Sequence, residues 1–432
     1  MNSAAPRTGL KRHPDFLKLW AGQTVSQFGS AVTTVALPLV AVLGLHADAW
    51  QMGILGALAM APFLLISLLA GVYVDRLPRR PLLIGADLGR LGLTGAVPVL
   101  WALGRLHMVD LYSMQFLVGC LTVIFDLAYQ SYLPSLIPSE TLVDGNRYLE
   151  ISQATSQTAG PGLGGLLVNW LSAGGALVAD ALSYGVSALS LSLIGHSEGS
   201  RDRRSSAGRR RIWGEIREGL GFVFQTRVLW LLAGCTATAN FFAAITNSVY
   251  VLYFVRSLHL PGALTGVVYG IGGVGGLVGA WIVSRVTDHW GLGPTLVGAI
   301  GMGAIARFLV PLAPHSYWAG LVTLSVSDIG VAGGAVLYNI NQVSLRQVIT
   351  PNRLLGRMNA SIRFMIWGTM PLGSVVGGLL GSAIGLDRTL WIGAIGGLGA
   401  LLWVTAPAIR ALRQMPSAPV GSCASTDIDA DW

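Results

Sequence analysis

Apolar runs of about 18 residues or more recur along most of this chain, each long enough to cross a bilayer as a helix. They lie near 18–43, 51–73, 82–104, 111–136, 147–171, 174–194, 229–255, 263–285, 294–313, 317–345, 361–385 and 390–409. Numbered in order, they are spans 1 to 12. Only 11% of the residues are charged and 53% are hydrophobic, against about 25% charged in a soluble domain. Lipid is therefore the solvent this sequence is built for. The 57 glycines fit the same class, because glycine lets membrane helices approach closely.

The net charge of +8 would suit a nucleic-acid partner, but its distribution argues otherwise. With both termini in the cytoplasm, only Arg105, Arg256 and Arg388 fall outside, and Arg90 and Arg307 fall within spans. The other 23 of 28 Lys and Arg face the cytoplasm. That asymmetry sets orientation in an anionic membrane and implies no nucleic acid. The segment 1–17 is polar and basic and runs straight into span 1, so no removable signal peptide is expected. Three cysteines imply no disulfide framework.

Six spans precede and six follow a basic interruption at 195–228. Within it Ile216, Leu220 and Val223 share a helical face, with Glu215, Arg217 and Glu218 turned away. This pattern predicts an interfacial helix on the cytoplasmic surface. The expected domains are thus a cytoplasmic segment 1–17, a six-helix bundle 18–194, the linker 195–228, a second bundle 229–412 and a disordered cytoplasmic tail 413–432. At one offset of 213 residues, Pro138, Leu142 and Asn146 match Pro351, Leu355 and Asn359. Gly160, Gly164 and Gly165 match Gly373, Gly377 and Gly378, and Asp75, Pro81, Gly85 and Pro98 match Asp288, Pro294, Gly298 and Pro311. An ungapped match of this kind predicts two related bundles, entered from the same side of the membrane.

Between spans 2 and 3 the chain reads Gly71-Val72-Tyr73-Val74-Asp75-Arg76-Leu77-Pro78-Arg79-Arg80. This loop resembles the loop between helices 2 and 3 of the major facilitator superfamily. Further pieces carry the likeness: Asp87-Leu88-Gly89-Arg90, Tyr132-Leu133-Pro134, Gly160-Pro161 with Gly164-Gly165, Asp180-Ala181-Leu182-Ser183-Tyr184 and Gly356-Arg357-Met358. The resemblance covers about residues 14–413 and is nearest the branch of enterobactin and macrolide exporters. It implies an all-α membrane fold of two pseudo-symmetric six-helix bundles. It also implies that Gly71, Asp75, Arg76, Arg79 and Arg80, with Asp87 and Arg90, form a cytoplasmic latch that pairs with the other bundle. Gly160, Pro161, Gly164 and Gly165 resemble the end of the antiporter signature and imply a close helix-5 contact. One departure stands out. Leu111 to Gly119 lacks the arginine that many drug–proton antiporters carry early in helix 4, so coupling by that route is not expected.

Polar residues on spans 1, 4, 7 and 10 mark the expected substrate cavity, the four helices that line it in this fold. Gln23, Gln27, Ser30 and Thr34 fall on one face of span 1. Span 7 carries Asn240 and Asn247. Span 4 carries Asp126, Tyr129 and Gln130, and span 10 carries Tyr338, Asn339, Asn341 and Gln342. The competing reading of any such residue is hydrogen-bonded glue between helices. Embedded charges are functional hypotheses by default. Asp126 is the expected proton carrier, with Asp328 and Arg307 as the other embedded charges. The resulting expectation is a proton-coupled exporter of a small amphipathic molecule, acting as a monomer in the plasma membrane without metal or cofactor. An importer and a non-transporting receptor or scaffold remain as alternatives. An enzyme is disfavoured: all seven histidines lie in loops or termini, and no Walker-type loop is present.

Overall fold

The computed structural model describes residues 13–66, 77–138, 141–195, 217–218, 220–314, 316–351 and 354–414. Gly71, Asp75 and Arg76 lie outside these residues, as do Ile216, most of the basic linker and the tail beyond residue 414. Within them the ordered elements are all helical. They are α1 (Pro14–Leu39), α2 (Ala49–Leu65), α3 (Arg79–Ala102), α4 (Met108–Leu136) and α5 (Leu142–Ser192) in the first half. The second half has α6 (Arg227–Leu252), α7 (Ala263–Trp290), α8 (Leu292–Arg307), α9 (Tyr317–Ile349), α10 (Leu355–Trp367) and α11 (Thr369–Ile384). It closes with α12 (Leu386–Gly397), α13 (Gly399–Val404) and α14 (Pro407–Arg410). Eight stretches are long and apolar enough to cross a membrane, and two shorter apolar helices accompany them. The longest, Asp144–Ser192, carries two expected spans, because Ser172 breaks it with φ 72° and ψ 168°.

The 213-residue offset recurs in the backbone. α1 ends in a π-turn at Val40–Gly44, and α6 ends in one at Tyr253–Ser257. Left-handed residues follow each, His46 at φ 54° and His259 at φ 52°, and Ser172 is matched by Gly385 at φ 91°. The separations are 253 less 40, 259 less 46 and 385 less 172. Packing repeats as well. Gly160 and Gly164 of α5 lie against Ala31 and Val32 of α1, while Gly373 and Gly377 of α11 lie against Ala244 and Ile245 of α6. All four pairs of equivalents are again 213 apart. Glycine is needed here because a side chain would meet the facing helix.

Ser172 occupies a region that glycine alone enters freely, at a cost of about 1–3 kcal/mol for other residues. Its counterpart is already glycine. Ser172→Gly is therefore expected to stabilise the chain by about 1 kcal/mol, after the glycine's own entropy is counted. Thermal unfolding in detergent would show this as a raised midpoint, and a lowered one would contradict it.

By contacts the chain forms two compact units, residues 1–204 with 260–270, and residues 205–259 with 271–432. The first turns of α7, expected in the second bundle, thus group with the first unit. The reason is local: Gly266 and Gly270 bring the α7 backbone against Pro161, Gly162 and Gly165 of α5. In unit 1, α1 packs chiefly on α5, which also holds α3, and α4 lies against α2 and α3. In unit 2, α6 packs on α11 and α12, and α8 packs on α9. Of the linker's apolar face, Val223 is covered by protein. Val223 is fully buried with Leu229 and Ala233 of α6 and Met358 and Ile362 of α10. At this end of the expected interfacial helix, Val223 thus has α6 and α10 as its apolar partners. Beside it Arg357 donates to Glu218.

Candidate functional site

Asp87 and Arg90 sit one turn apart on α3 and form a buried ion pair. The Arg90 guanidinium lies between two rings, 4.3 Å from the centroid of Phe125 on α4 and 4.6 Å from that of Tyr184 on α5. The Tyr184 hydroxyl is 2.9 Å from Ser30 Oγ on α1. One turn before Tyr184, Asp180 accepts from Thr33 of α1 at 2.5 Å and from Ser183 at 3.3 Å. Four helices therefore meet around one arginine. α1 can come this close because Gly29 faces Asp180 and Ser183 without a side chain. The expected latch members Asp87 and Arg90 belong to this buried cluster.

Arg79 and Arg80 open α3 and reach neighbouring helices. Arg79 donates to the Ser131 carbonyl at 2.5 Å; Arg80 donates to Leu191 and Ser192 at 3.1 and 2.5 Å. Lys18 reaches the Leu193 carbonyl at 2.7 Å. Arg80 and Lys18 meet the C-terminal carbonyls of α5, where a cation satisfies free acceptors and opposes the negative dipole end, while Arg79 meets α4 five residues before its end. Basic residues in this loop thus tie α4 and α5 together inside unit 1.

The span-1 stripe divides. Gln23 and Gln27 are half-buried, and the Oε1 of each has no hydrogen-bond partner among the described residues. Ser30 turns to Tyr184, and Thr34 is exposed with its hydroxyl on the Ala31 carbonyl. On α4, Asp126 is half-buried and Gln130 exposed. Tyr129 stacks on Phe125 at 5.9 Å, and its hydroxyl has no partner among the described residues.

In unit 2, Asn240 is half-buried and Asn247 and Asn339 are exposed. Tyr338 is buried, 3.0 Å from Thr236 Oγ1 and 3.3 Å from the Leu232 carbonyl. Asn341 is also buried; it donates to the Leu337 carbonyl at 3.0 Å and accepts from Thr287 at 3.2 Å. These two residues hold helices together in this structure. Asp328 on α9 accepts from Tyr250 of α6 at 3.4 Å and interacts electrostatically with Arg307 of α8. Gly272 of α7 makes room for it, since a Cβ there would lie 2.8 Å from the Asp328 Cβ.

Asp180 and Tyr184 are the residues whose place went unassigned in the sequence. Their signal was present: an aspartate inside an apolar run needs a partner or a purpose. What was missing was the identity of the helices facing it.

The sequence pattern of the Major Facilitator Superfamily matches residues 19–370. The chain belongs to this superfamily. It is an all-α, multi-pass membrane protein of a transporter superfamily, as the expected fold class required. The multidrug efflux pump Tap of Mycolicibacterium fortuitum is 28% identical over 88% of this chain and 92% of its own length. Macrolide efflux protein A of Streptococcus pyogenes is 22% identical over 93% of this chain and 97% of its own. A solved structure of a bacterial homologue of the iron transporter ferroportin shares the fold, with a TM-score of 0.72 at 16% identity. That likeness covers 92% of this chain and 99% of the other.

Proposed function

We propose that this protein exports a small amphipathic molecule by alternating access, driven by proton entry. The observation that carries the reading is near full-length similarity to two proteins named as efflux proteins for drugs and macrolides. The residues of unit 1 support it. Two amide oxygens one turn apart on α1 and a tyrosine hydroxyl on α4 are without partners among the described residues, which suits a cargo with few fixed charges. Thr34 and Gln130 of unit 1, and Asn240, Asn247 and Asn339 of unit 2, are further polar side chains of the kind a cargo of this class would meet. Asp126 carries the coupling proton, with Asp328 and Arg307 as the embedded pair of the second half. The protein works as a monomer in the plasma membrane with both termini in the cytoplasm, as its basic loops favour. Arg79 and Arg80, with the loop residues Gly71, Asp75 and Arg76, hold one state of the cycle.

Reconstituted vesicles test this directly. Ethidium and erythromycin serve as probes, one a lipophilic cation and the other a macrolide. An imposed pH gradient is expected to accelerate efflux of at least one of them. Asp126→Asn is expected to bring that acceleration down to the level of empty vesicles while leaving probe exchange without a gradient intact. Full gradient-driven transport by Asp126→Asn would remove Asp126 from the mechanism.

A further inference from the structure

The cluster around Arg90 has one cation and two carboxylates. Asp87 is 0% exposed, Asp180 1% and Arg90 4%. Asp87 takes the guanidinium directly, and Phe125 and Tyr184 cover its two faces. Among the described residues the Asp180 carboxylate has hydroxyl donors alone, Thr33 and, more weakly, Ser183, whose proton is shared with the Asp180 carbonyl at 2.7 Å, and it feels Arg90 at longer range. From α3 the charged group that faces it is Arg90, which Asp87 holds, and on its own helix the titratable one is Tyr184. From α1 it meets hydroxyls alone among the described residues, and α4 contributes the Phe125 ring beside Asp126. Unit 2 is different, because there Asp328 is matched by Arg307, one for one. A buried negative charge without a cation beside it is not sustained in a dry site.

We propose that Asp180, together with Asp87 and Arg90, forms a single-proton site whose occupancy controls the grip of α5 on α1. The proposal rests on the proton-driven reading above. A proton from water bonds to an Asp180 carboxylate oxygen and returns to water when the site is exposed; no other bond is made or broken. Ionised Asp180 accepts from Thr33 and Ser183 at once, whereas the protonated group carries a donor of its own and holds them less tightly. Thr33 lies on α1, the helix that also carries Gln23 and Gln27. Loss of its tether frees the helix that contacts cargo, so proton and cargo compete through one element. The structure also contains polar atoms prepared for another arrangement: Arg90 Nε and Thr94 Oγ1 are buried on the same face of α3 without hydrogen-bond partners among the described residues.

The purified full-length protein in detergent tests the site by infrared difference spectra between acidic and alkaline pH. Wild type is expected to show the carbonyl stretch of a protonated carboxyl group that disappears on alkalinisation. Asp180→Asn removes that component. Asp87→Asn removes it too, because Asp180 then has Arg90 to itself. Asp126→Asn keeps the component that Asp180→Asn loses. A spectrum unchanged in both Asp180→Asn and Asp87→Asn overturns the proton site, and two independent variants guard against one that fails to fold. Ethidium efflux from vesicles supplies the second readout, in which Asp180→Asn is expected to lose acceleration by a pH gradient. Loss of the band with full acceleration retained overturns the coupling role. If the wild type itself shows no acceleration, the proton-driven reading falls instead, and the infrared band still decides whether the proton is bound here.

Discussion

Arg90→Ala is expected to destabilise the protein by about 3–5 kcal/mol, the range for removing one partner of a buried ion pair. Asp87 and Asp180 would be left in an apolar site without a cation, and Phe125 and Tyr184 would lose the guanidinium between them. Each desolvated cation–ring contact is itself worth about 2 kcal/mol. Arg90→Lys should rescue little, since an ammonium has no plane to lie between two rings. By contrast, replacing both partners, Asp87→Leu with Arg90→Met, should recover part of the loss, because it removes the charge instead of stranding it. Thermal unfolding of the detergent-purified variants measures this order. A midpoint for Arg90→Ala equal to that of wild type would mean that the cluster is hydrated and that the charge balance drawn around Asp180 is wrong.

Gly266→Leu is the second substitution with a large expected effect. A Cβ at Gly266 would run into backbone atoms of Pro161 and Gly165, not into a side chain that could rotate away. Overpacking a rigid contact costs about 1–3 kcal/mol, and here α7 can be relieved only by moving away from α5. Folded yield and thermal midpoint should fall together, and probe transport should be lost. The same seam offers graded controls. A Cβ at Gly270 would lie 3.2 Å from Gly162 Cα, whereas one at Gly162 would lie 3.8 Å from Gly270 Cα. Gly270→Ala should therefore be mildly destabilising and Gly162→Ala within about 0.5 kcal/mol of wild type. Equal effects for all three would show that this contact opens freely.

Hydropathy made the membrane class and the positions of the spans readable, because each span must satisfy its own peptide groups wherever its neighbours lie. The repeat was readable for a related reason. A helix that must be approached closely keeps glycine at that point, so Gly160 and Gly164 reappear as Gly373 and Gly377. The shared offset then extended to features no residue type announces, the π-turns after α1 and α6 and the left-handed His46 and His259. The 71–80 loop was legible as a family mark, yet Arg79 and Arg80 acquired a place only when they were seen on backbone carbonyls of α4 and of the end of α5.

Polar residues inside spans divide the other way. Periodicity put Gln23, Gln27, Ser30 and Thr34 on one face of α1, but Ser30 turns to Tyr184 while the two glutamine oxygens stay without partners. Tyr338 and Asn341 read as lining residues and are held by Thr236 and Thr287. Asp180 was only part of a family motif until α1, α3 and α5 came together around Arg90. The sequence by itself determined the solvent, the helices, the repeat and the superfamily, since these follow from local hydropathy and from residues that recur at fixed spacing. Only the tertiary structure decided which polar groups meet and how their charges balance. A side chain's partner is set by the neighbouring helix, and that helix can lie more than 150 residues away along the chain, as Ser30 and Tyr184 do at a separation of 154.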